Sequence, residues 1–270
     1  MVTPPVRRNG ILFNRRTLFD VLKFLLLLAV LSFLLYRGTQ TLGYNWQWFR
    51  VPKYLFQFED GKFILRPLLN GLLVTFRVTA WGLVLAFVFG LVTALFRMSN
   101  SFVAIVVARG YLELIRNTPL LVQIFFLYFV MAPVLGIERL FAAILALSLF
   151  EGAYASEIFR AGIVSIHKGQ WEAAHSLGFS IYHTYRYIIL PQAIRRLLPP
   201  LTSQAISLIK DSALVSTIAV YELTMQGRAI VADTFMTFEI WFTVAAIYLV
   251  VTVILSLVVN IMEVRFKVVH

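Results

Sequence analysis

The chain has 270 residues, of which 60% are hydrophobic and only 14% charged, with a mean hydropathy of +0.83. Such usage excludes a soluble globular domain, where charged residues approach a quarter of the chain. The formal charge of +11 reads as basic loops retained beside a membrane and not as a nucleic-acid surface, and the absence of cysteine excludes disulfides and thiolate metal sites.

The elements predicted along the chain are those of one polytopic membrane protein. An apolar run from about Leu18 to Tyr36 follows Arg7, Arg8, Arg15 and Arg16, which places the N-terminus in the cytoplasm. No small-x-small cleavage site follows Tyr36, so this run is expected to be a retained anchor. The segment from Arg37 to Pro67 carries Trp46, Trp48, Phe49, Tyr54, Phe56 and Phe58, a composition suited to the headgroup zone on the extracytoplasmic side. A second span runs from about Leu68 to Phe96. Its Gly82, Ala86, Gly90 and Ala94 recur every four residues, so another helix can approach that face closely. A third region, about Phe102 to Met131, contains Pro119, which predicts a broken or kinked helix. A fourth span is expected over about Leu140 to Gly162, a fifth over about Leu201 to Val220 and a sixth over about Trp241 to Val259.

Charge supports six spans with both termini inside. Twelve basic residues fall on the cytoplasmic side (Arg7, Arg8, Arg15, Arg16, Arg97, Arg160, Lys168, Arg186, Arg195, Arg196, Arg265 and Lys267). Seven fall on the other: Arg37, Arg50, Lys53, Lys62, Arg66, Arg139 and Arg228.

Between the fourth and fifth spans lies a polar loop, 163–199, and within it EAAHSLGFSIYHTYRYIILP, residues 172–191. A short helix carrying Glu172, Ala173 and Ala174 is expected to stop at Gly178, and a second helix to stop at Pro191. Glu172 is placed in a first turn, where the helix dipole favours a carboxylate. Ala173, Ala174 and Gly178 are small enough for a partner's surface to approach the backbone. The spacing E-A-A, three residues, G, nine residues, I-x-L-P resembles the coupling loop of permease subunits of ATP-binding-cassette importers. Arg116-Asn117-Thr118-Pro119-Leu120-Leu121-Val122-Gln123 is similar to the R-G-T-P-L-L-V-Q segment of the polar amino-acid importers in that family. Gly152-Ala153-Tyr154 with Glu157, Arg160, Ala161 and Gly162 is similar to their G-A-Y-x-x-E-x-x-R-A-G, and Lys210-Asp211-Ser212-Ala213-Leu214 to their K-D-T-S-L. Asn117 for Gly and Ser212-Ala213 for Thr-Ser are departures. The likeness runs from about Leu68 to the C-terminus and leaves the anchor and aromatic segment outside.

The resemblance implies an all-α integral membrane protein: a five-helix permease core over residues 68–270 and an extra N-terminal helix within residues 1–67. It implies a bacterial inner-membrane location and coupling to ATPases through Glu172, Ala173, Ala174, Gly178, Leu190 and Pro191. The implied partners are a second permease subunit, two ATP-binding-cassette ATPase subunits and an extracytoplasmic amino-acid-binding protein, in a lipid bilayer and without nucleic acid. No cofactor is implied and no enzyme activity. The chain holds no G-x-x-x-x-G-K-[ST] phosphate loop, so ATP hydrolysis belongs to the partners. An ion-coupled secondary transporter is the alternative.

Charged residues inside the apolar spans mark a pathway or an internal pair. Glu151 falls near the middle of the fourth span, and Lys210 and Asp211 about ten residues past Pro200. A zwitterionic amino acid needs an acceptor for its ammonium, supplied by Glu151 or Asp211, and a donor for its carboxylate, supplied by Lys210 or Arg116. Tyr154, Gln123 and Ser212 complete the expected pathway. A structural ion pair of Glu151 with Lys210 is the other reading. Glu157 and Arg160, three apart, are expected to pair locally. His167, His175 and His183 do not share a rigid face and are read as loop residues, not metal ligands. Leu149-Phe150-Glu151-Gly152-Ala153-Tyr154 resembles importers of acidic or general polar amino acids.

Overall fold

The protein is described by a computed structural model covering residues 15–41, 43–59 and 61–266. Arg7, Arg8 and Lys267, counted above on the cytoplasmic side, lie outside the described residues. The chain forms two units, one ending at Trp46 and one starting at Gln47. The first holds α1, Arg15–Thr41, whose stretch Thr17–Gly38 is long and apolar enough to cross a bilayer.

The second unit begins with a 3-10 turn, Trp48–Arg50, and α2, Pro52–Leu55. An antiparallel hairpin follows, β1 Phe56–Glu59 and β2 Lys62–Leu65. The hairpin is a local addition to a chain whose other described elements are helical. Its alternating Phe-Gln-Phe-Glu and Lys-Phe-Ile-Leu strands put Phe56, Phe58 and Phe63 on one face, with Phe58 directly opposite Phe63.

The bundle proper comprises α3 (Pro67–Met98), α4 (Phe102–Arg116), α5 (Leu120–Phe125), α6 (Ala132–Leu135) and α7 (Arg139–Val164). α3 and α7 pass the length and apolarity test for a span. α4 and the stretch 120–135 pass it only as a pair, bent by 106° at Pro119. That break is the one Pro119 predicts. Gln123 closes it, its Nε2 donating to the Ile115 carbonyl (2.7 Å), the Thr118 carbonyl (3.1 Å) and Thr118 Oγ1 (2.7 Å).

The expected small-residue face of α3 is buried at all four positions. Gly90 lies against α7 so closely that a Cβ there would meet Ala155 Cβ at 2.8 Å and the Gly152 carbonyl at 3.0 Å. Gly152 answers in kind, with Phe89 Cβ at 2.9 Å from its own Cβ position. Lipid tails are as apolar as leucine, so close van der Waals approach of this kind is what holds helices together in a membrane.

Beyond α7 come α8 (Lys168–Ser176), α9 (Ile181–Thr184), a π-helical segment Tyr185–Ile189 and α10 (Leu190–Asp211). Here two expectations fail. The second loop helix does not stop at Pro191, and Pro199-Pro200 do not bound a span, because α10 runs through all three prolines. The π segment explains the first. Leu190 N donates five residues back to the Tyr185 carbonyl, and Pro191, which has no donor to give, follows that widened turn. The same device recurs at Phe126–Met131: Ala132 N donates to the Leu127 carbonyl and Pro133 comes next. At the second break, Thr202 Oγ1 donates to the carbonyls of Leu198 (2.9 Å) and Pro199 (2.7 Å). The stretch expected as the fifth span is thus the second half of α10 and a 3-10 helix, Ser212–Ile218, and it is not among the helices apolar enough to pass the test that α3 and α7 pass.

α11 (Leu223–Thr234) and α12 (Thr237–Phe266) are the last described elements, and Thr237–Ile261 of α12 is long and apolar enough to cross a bilayer. α11 has no counterpart in the sequence reading. It is fixed by the fully buried Glu222, whose carboxylate accepts from Thr224 N (2.9 Å), Met225 N (2.8 Å) and Tyr248 Oη (2.9 Å). Burial raises this carboxyl above its ordinary value.

Adding a side chain at the α3–α7 contact tests the packing argument. Gly90→Val is expected to cost ~1–3 kcal/mol and lower the thermal midpoint of the detergent-solubilised protein. Gly110→Val, with open space around its Cβ position, is the control and leaves the midpoint within a degree or two of wild type, roughly the scatter of a surface change.

Candidate functional site

The polar stretch forms a knob at the end of the bundle where α3 finishes and α7 finishes. Its first arm, α8, is capped by His167, whose Nδ1 accepts from Gly169 N at 3.0 Å. Glu172 therefore sits in the second turn, not the first, and pairs with Lys168 at 3.4 Å on the exposed face. Gly178 ends the arm at φ +75°, with Phe179 N donating to the Ala174 carbonyl (3.1 Å) and Gly178 N to the His175 carbonyl (3.0 Å). Ser180 then caps the second arm, accepting from His183 N.

Packing roots the knob firmly. Trp171 meets Tyr185 edge to face at 5.1 Å, and Ala174, Thr184 and Ile189 are buried between the arms and the bundle. Ile189, Ala193 and Leu197 continue into a core with Ala94, Ala155 and Phe159 from α3 and α7. Gln192 Nε2 donates to Gln170 Oε1 (3.2 Å) and Arg196 to the Ser165 carbonyl (2.6 Å). The tip is the opposite. Leu177 is 75% exposed, Ile181 69% and Tyr182 70%, around an open Gly178. A rigid projection with an uncovered apolar tip fits a docking surface. Of the residues expected to face a partner, Glu172, Ala173, Gly178, Leu190 and Pro191 are exposed, whereas Ala174 is fully buried and belongs to the root.

Deep in the bundle the structure gathers a second group. Glu151 is 1% exposed; one of its carboxylate oxygens accepts from Gln204 Nε2, and the other has no hydrogen-bond partner among the described residues. Asp211, at the end of α10, brings a second carboxyl group near Glu151 without a hydrogen bond to it among the described residues. Lys210 points elsewhere: it is exposed and forms no ion pair with Glu151, so the structural pair considered as an alternative is not made. Two carboxyl groups and an amide therefore converge at mid-bundle, an arrangement that favours a cationic group. Gln204 is the member sequence reasoning missed. Its signal was only its place one to two turns before Asp211 on the same helix. Ser212 is buried and donates to the Ile209 carbonyl (2.7 Å), and Gln123 holds the α4–α5 break, so both support the scaffold.

Between this group and the knob lies a third. Glu157 pairs with Arg160 (3.3 Å), as its spacing predicts, and also with Arg97 (2.6 Å) and Arg116 (3.1 Å). One carboxylate so ties the ends of α3 and α4 to α7. Arg116 also lies over the Tyr154 ring at 5.8 Å, and Tyr154 is half-buried beside Phe150. Among the described residues no cluster of three metal-ligating side chains occurs.

Residues 86–268 match the family described as "Binding-protein-dependent transport system inner membrane component". The glutamine transport system permease protein GlnP of Escherichia coli (strain K12) is 41% identical over 204 residues, covering 74% of this chain and 93% of that protein. The nopaline transport system permease protein NocM of Agrobacterium fabrum (strain C58 / ATCC 33970) is 38% identical over 193 residues, 67% of this chain and 80% of that protein. The crystal structure of an amino acid ABC transporter with histidines superposes with a TM-score of 0.70 at 38% identity, over 74% of this chain and 94% of that one.

The Glu157 cluster is open to measurement. Glu157→Gln leaves three guanidinium groups without their shared counter-ion, and is expected to cost about 1 kcal/mol because the site is partly solvated. A double-mutant cycle with Arg97→Met, read by thermal unfolding at low and high salt, should show the coupling shrink as salt rises.

Proposed function

The chain belongs to the family of binding-protein-dependent transport system inner membrane components, and from that membership we propose that it is the permease subunit of an ATP-driven amino-acid importer. It is a multi-pass membrane protein, placed by this reading in a bacterial inner membrane. Two permease subunits, identical or related, form one pathway. Two ATPase subunits dock on the two knobs, and an extracytoplasmic binding protein delivers the amino acid. ATP binding draws the ATPases together, the rooted knobs carry that movement into the bundle, and the cavity turns outward; hydrolysis resets it. The two orientations need differ by only a few kcal/mol. The observation that carries this reading is the knob itself, packed into the bundle at its root and bare at its apolar tip.

The cargo is a polar amino acid, and Glu151 with Asp211 is the acceptor of its ammonium group. Support comes from the convergence of both carboxyl groups with Gln204 and from the free oxygen of Glu151. Arg116, exposed nearer the knob beside Tyr154, attracts the carboxylate end of the zwitterion. Residues 1–67 add an anchor and an interfacial segment to a core that begins at Leu68, with 163–199 as its coupling loop.

Uptake of a labelled amino-acid panel into vesicles reconstituted with the permease, its ATPase and its binding protein tests the proposal. Flux that persists without the ATPase would refute it. Gly178→Asp puts a charge on the tip at a positive φ, and is expected to cut uptake about tenfold or more while the protein remains in the membrane. Glu151→Gln is expected to raise the apparent KM of the transported amino acid ~10–100-fold, the loss of a charge-assisted hydrogen bond. Unchanged kinetics across the panel would return Glu151 to the scaffold.

A further inference from the structure

The segment that precedes α3 is a built platform. Trp48, Val51 and Leu55 share one edge of the 3-10 turn and α2. Val51 is 7% exposed and packs in a cluster with Leu68, Leu223 and Ile240. Gln47 N donates to the fully buried Glu239 at 2.6 Å, which fastens the platform to the first turn of α12. Beneath it, a groove of about 780 Å³ runs between α3 and α12, with Trp48 and Val51 at its head, Leu72 on α3, and Phe242 to Val251 along α12. Its lining is apolar, and the Thr243 hydroxyl is already committed to the Glu239 carbonyl at 2.6 Å. Nothing in it would hold an amino acid's charged groups.

The dimensions and charges suit a different occupant. Phe242 to Val251 is nine helical steps, ~14 Å, about half of a ~30 Å hydrocarbon core; the groove is one leaflet deep. Its head carries cations. Arg50 and Lys53 lie on the platform, and Arg66 Nε donates to the Lys53 carbonyl at 3.4 Å, bringing a third to the same place. Among the described residues none of the three forms an ion pair. Among the described residues the Arg50 side chain donates to the neutral Gln47 side chain, and the Lys53 ammonium lies over the Tyr54 ring at 4.8 Å.

We propose that this groove is a binding site for one anionic glycerophospholipid of the outer leaflet, an acyl chain lying along α12 and the phosphate held by Arg50, Lys53 and Arg66. The site rests on the membrane reading of the chain and not on the identity of the cargo. It differs from general lipid contact in having a cationic head, a Trp48 lid and a channel of one leaflet's depth.

The test uses the assembled importer, equilibrated in vesicles of phosphatidylglycerol and phosphatidylcholine in equal amounts. After extraction in mild detergent, retained lipid is read by mass spectrometry of the intact complex. Wild type should retain phosphatidylglycerol over phosphatidylcholine by about 25-fold or more, and Arg50→Gln/Lys53→Gln should reduce that preference about fivefold per cation removed, on the order of 1 kcal/mol each. Ala246→Trp, which fills the groove, should lose both lipids. A benzophenone amino acid at position 246 should give a phospholipid adduct on irradiation. Equal retention of the two lipids, a preference untouched in Arg50→Gln/Lys53→Gln, or adducts only to polypeptide would each overturn the site. The last outcome would show that protein covers the groove. Should Ala246→Trp fail to assemble, the two platform substitutions, whose side chains are not packed in the core, still decide.

Discussion

The near-contact of α3 and α7 at Gly90 and Gly152 is the constraint on which the rest of the structure depends. A bilayer gives no hydrophobic reason for two apolar helices to associate, so association rests on how close they come. Here the approach is limited by backbone atoms, and α7 becomes the most enclosed of the long helices. Each functional group lies a short step along α7 from that contact. Glu151 adjoins Gly152, Glu157 follows one to two turns later, and Gly162, against Leu197, meets the root of the knob. A movement applied at the knob enters the same rigid element that holds the buried carboxyl group.

Charges along this helix are arranged by depth. At mid-bundle, where desolvation is costly, Glu151 has an amide and a nearby second carboxyl group, and it forms no ion pair among the described residues. Nearer the knob the excess reverses, with three guanidinium groups around Glu157. On the function proposed above, the first group suits an ammonium end and the second a carboxylate end of the cargo.

How much of this was legible in the sequence depends on how local the cause is. The small face of α3 was readable because helical spacing alone sets it, and so was the break at Pro119, because the missing donor and ring clash act within one turn. Gly178 was readable for the same reason. Pro191 misled: a proline ends a helix only if the helix keeps α spacing, and the π segment before it removes the conflict. The π segment leaves no mark in composition. The hairpin β1–β2 was hidden within an aromatic stretch whose alternation covers only four residues per strand. The partners of Glu157 on α3 and α4 and of Glu151 on α10 are 41 to 60 positions away in the chain, so no spacing rule could bring them together.

Ala173 and Ala174 are neighbours with the same side chain, yet they answer to different surroundings. Ala174 is sealed beneath its own chain, where an added methylene must be absorbed by Trp171, Tyr185 and their neighbours, while Ala173 looks outward. Change at Ala174 is therefore limited by folding, and change at Ala173 by what the proposed docking partner requires. If the knob docks an ATPase as proposed, a lineage that exchanged that subunit would be free to rewrite Ala173 and would still have to preserve Ala174.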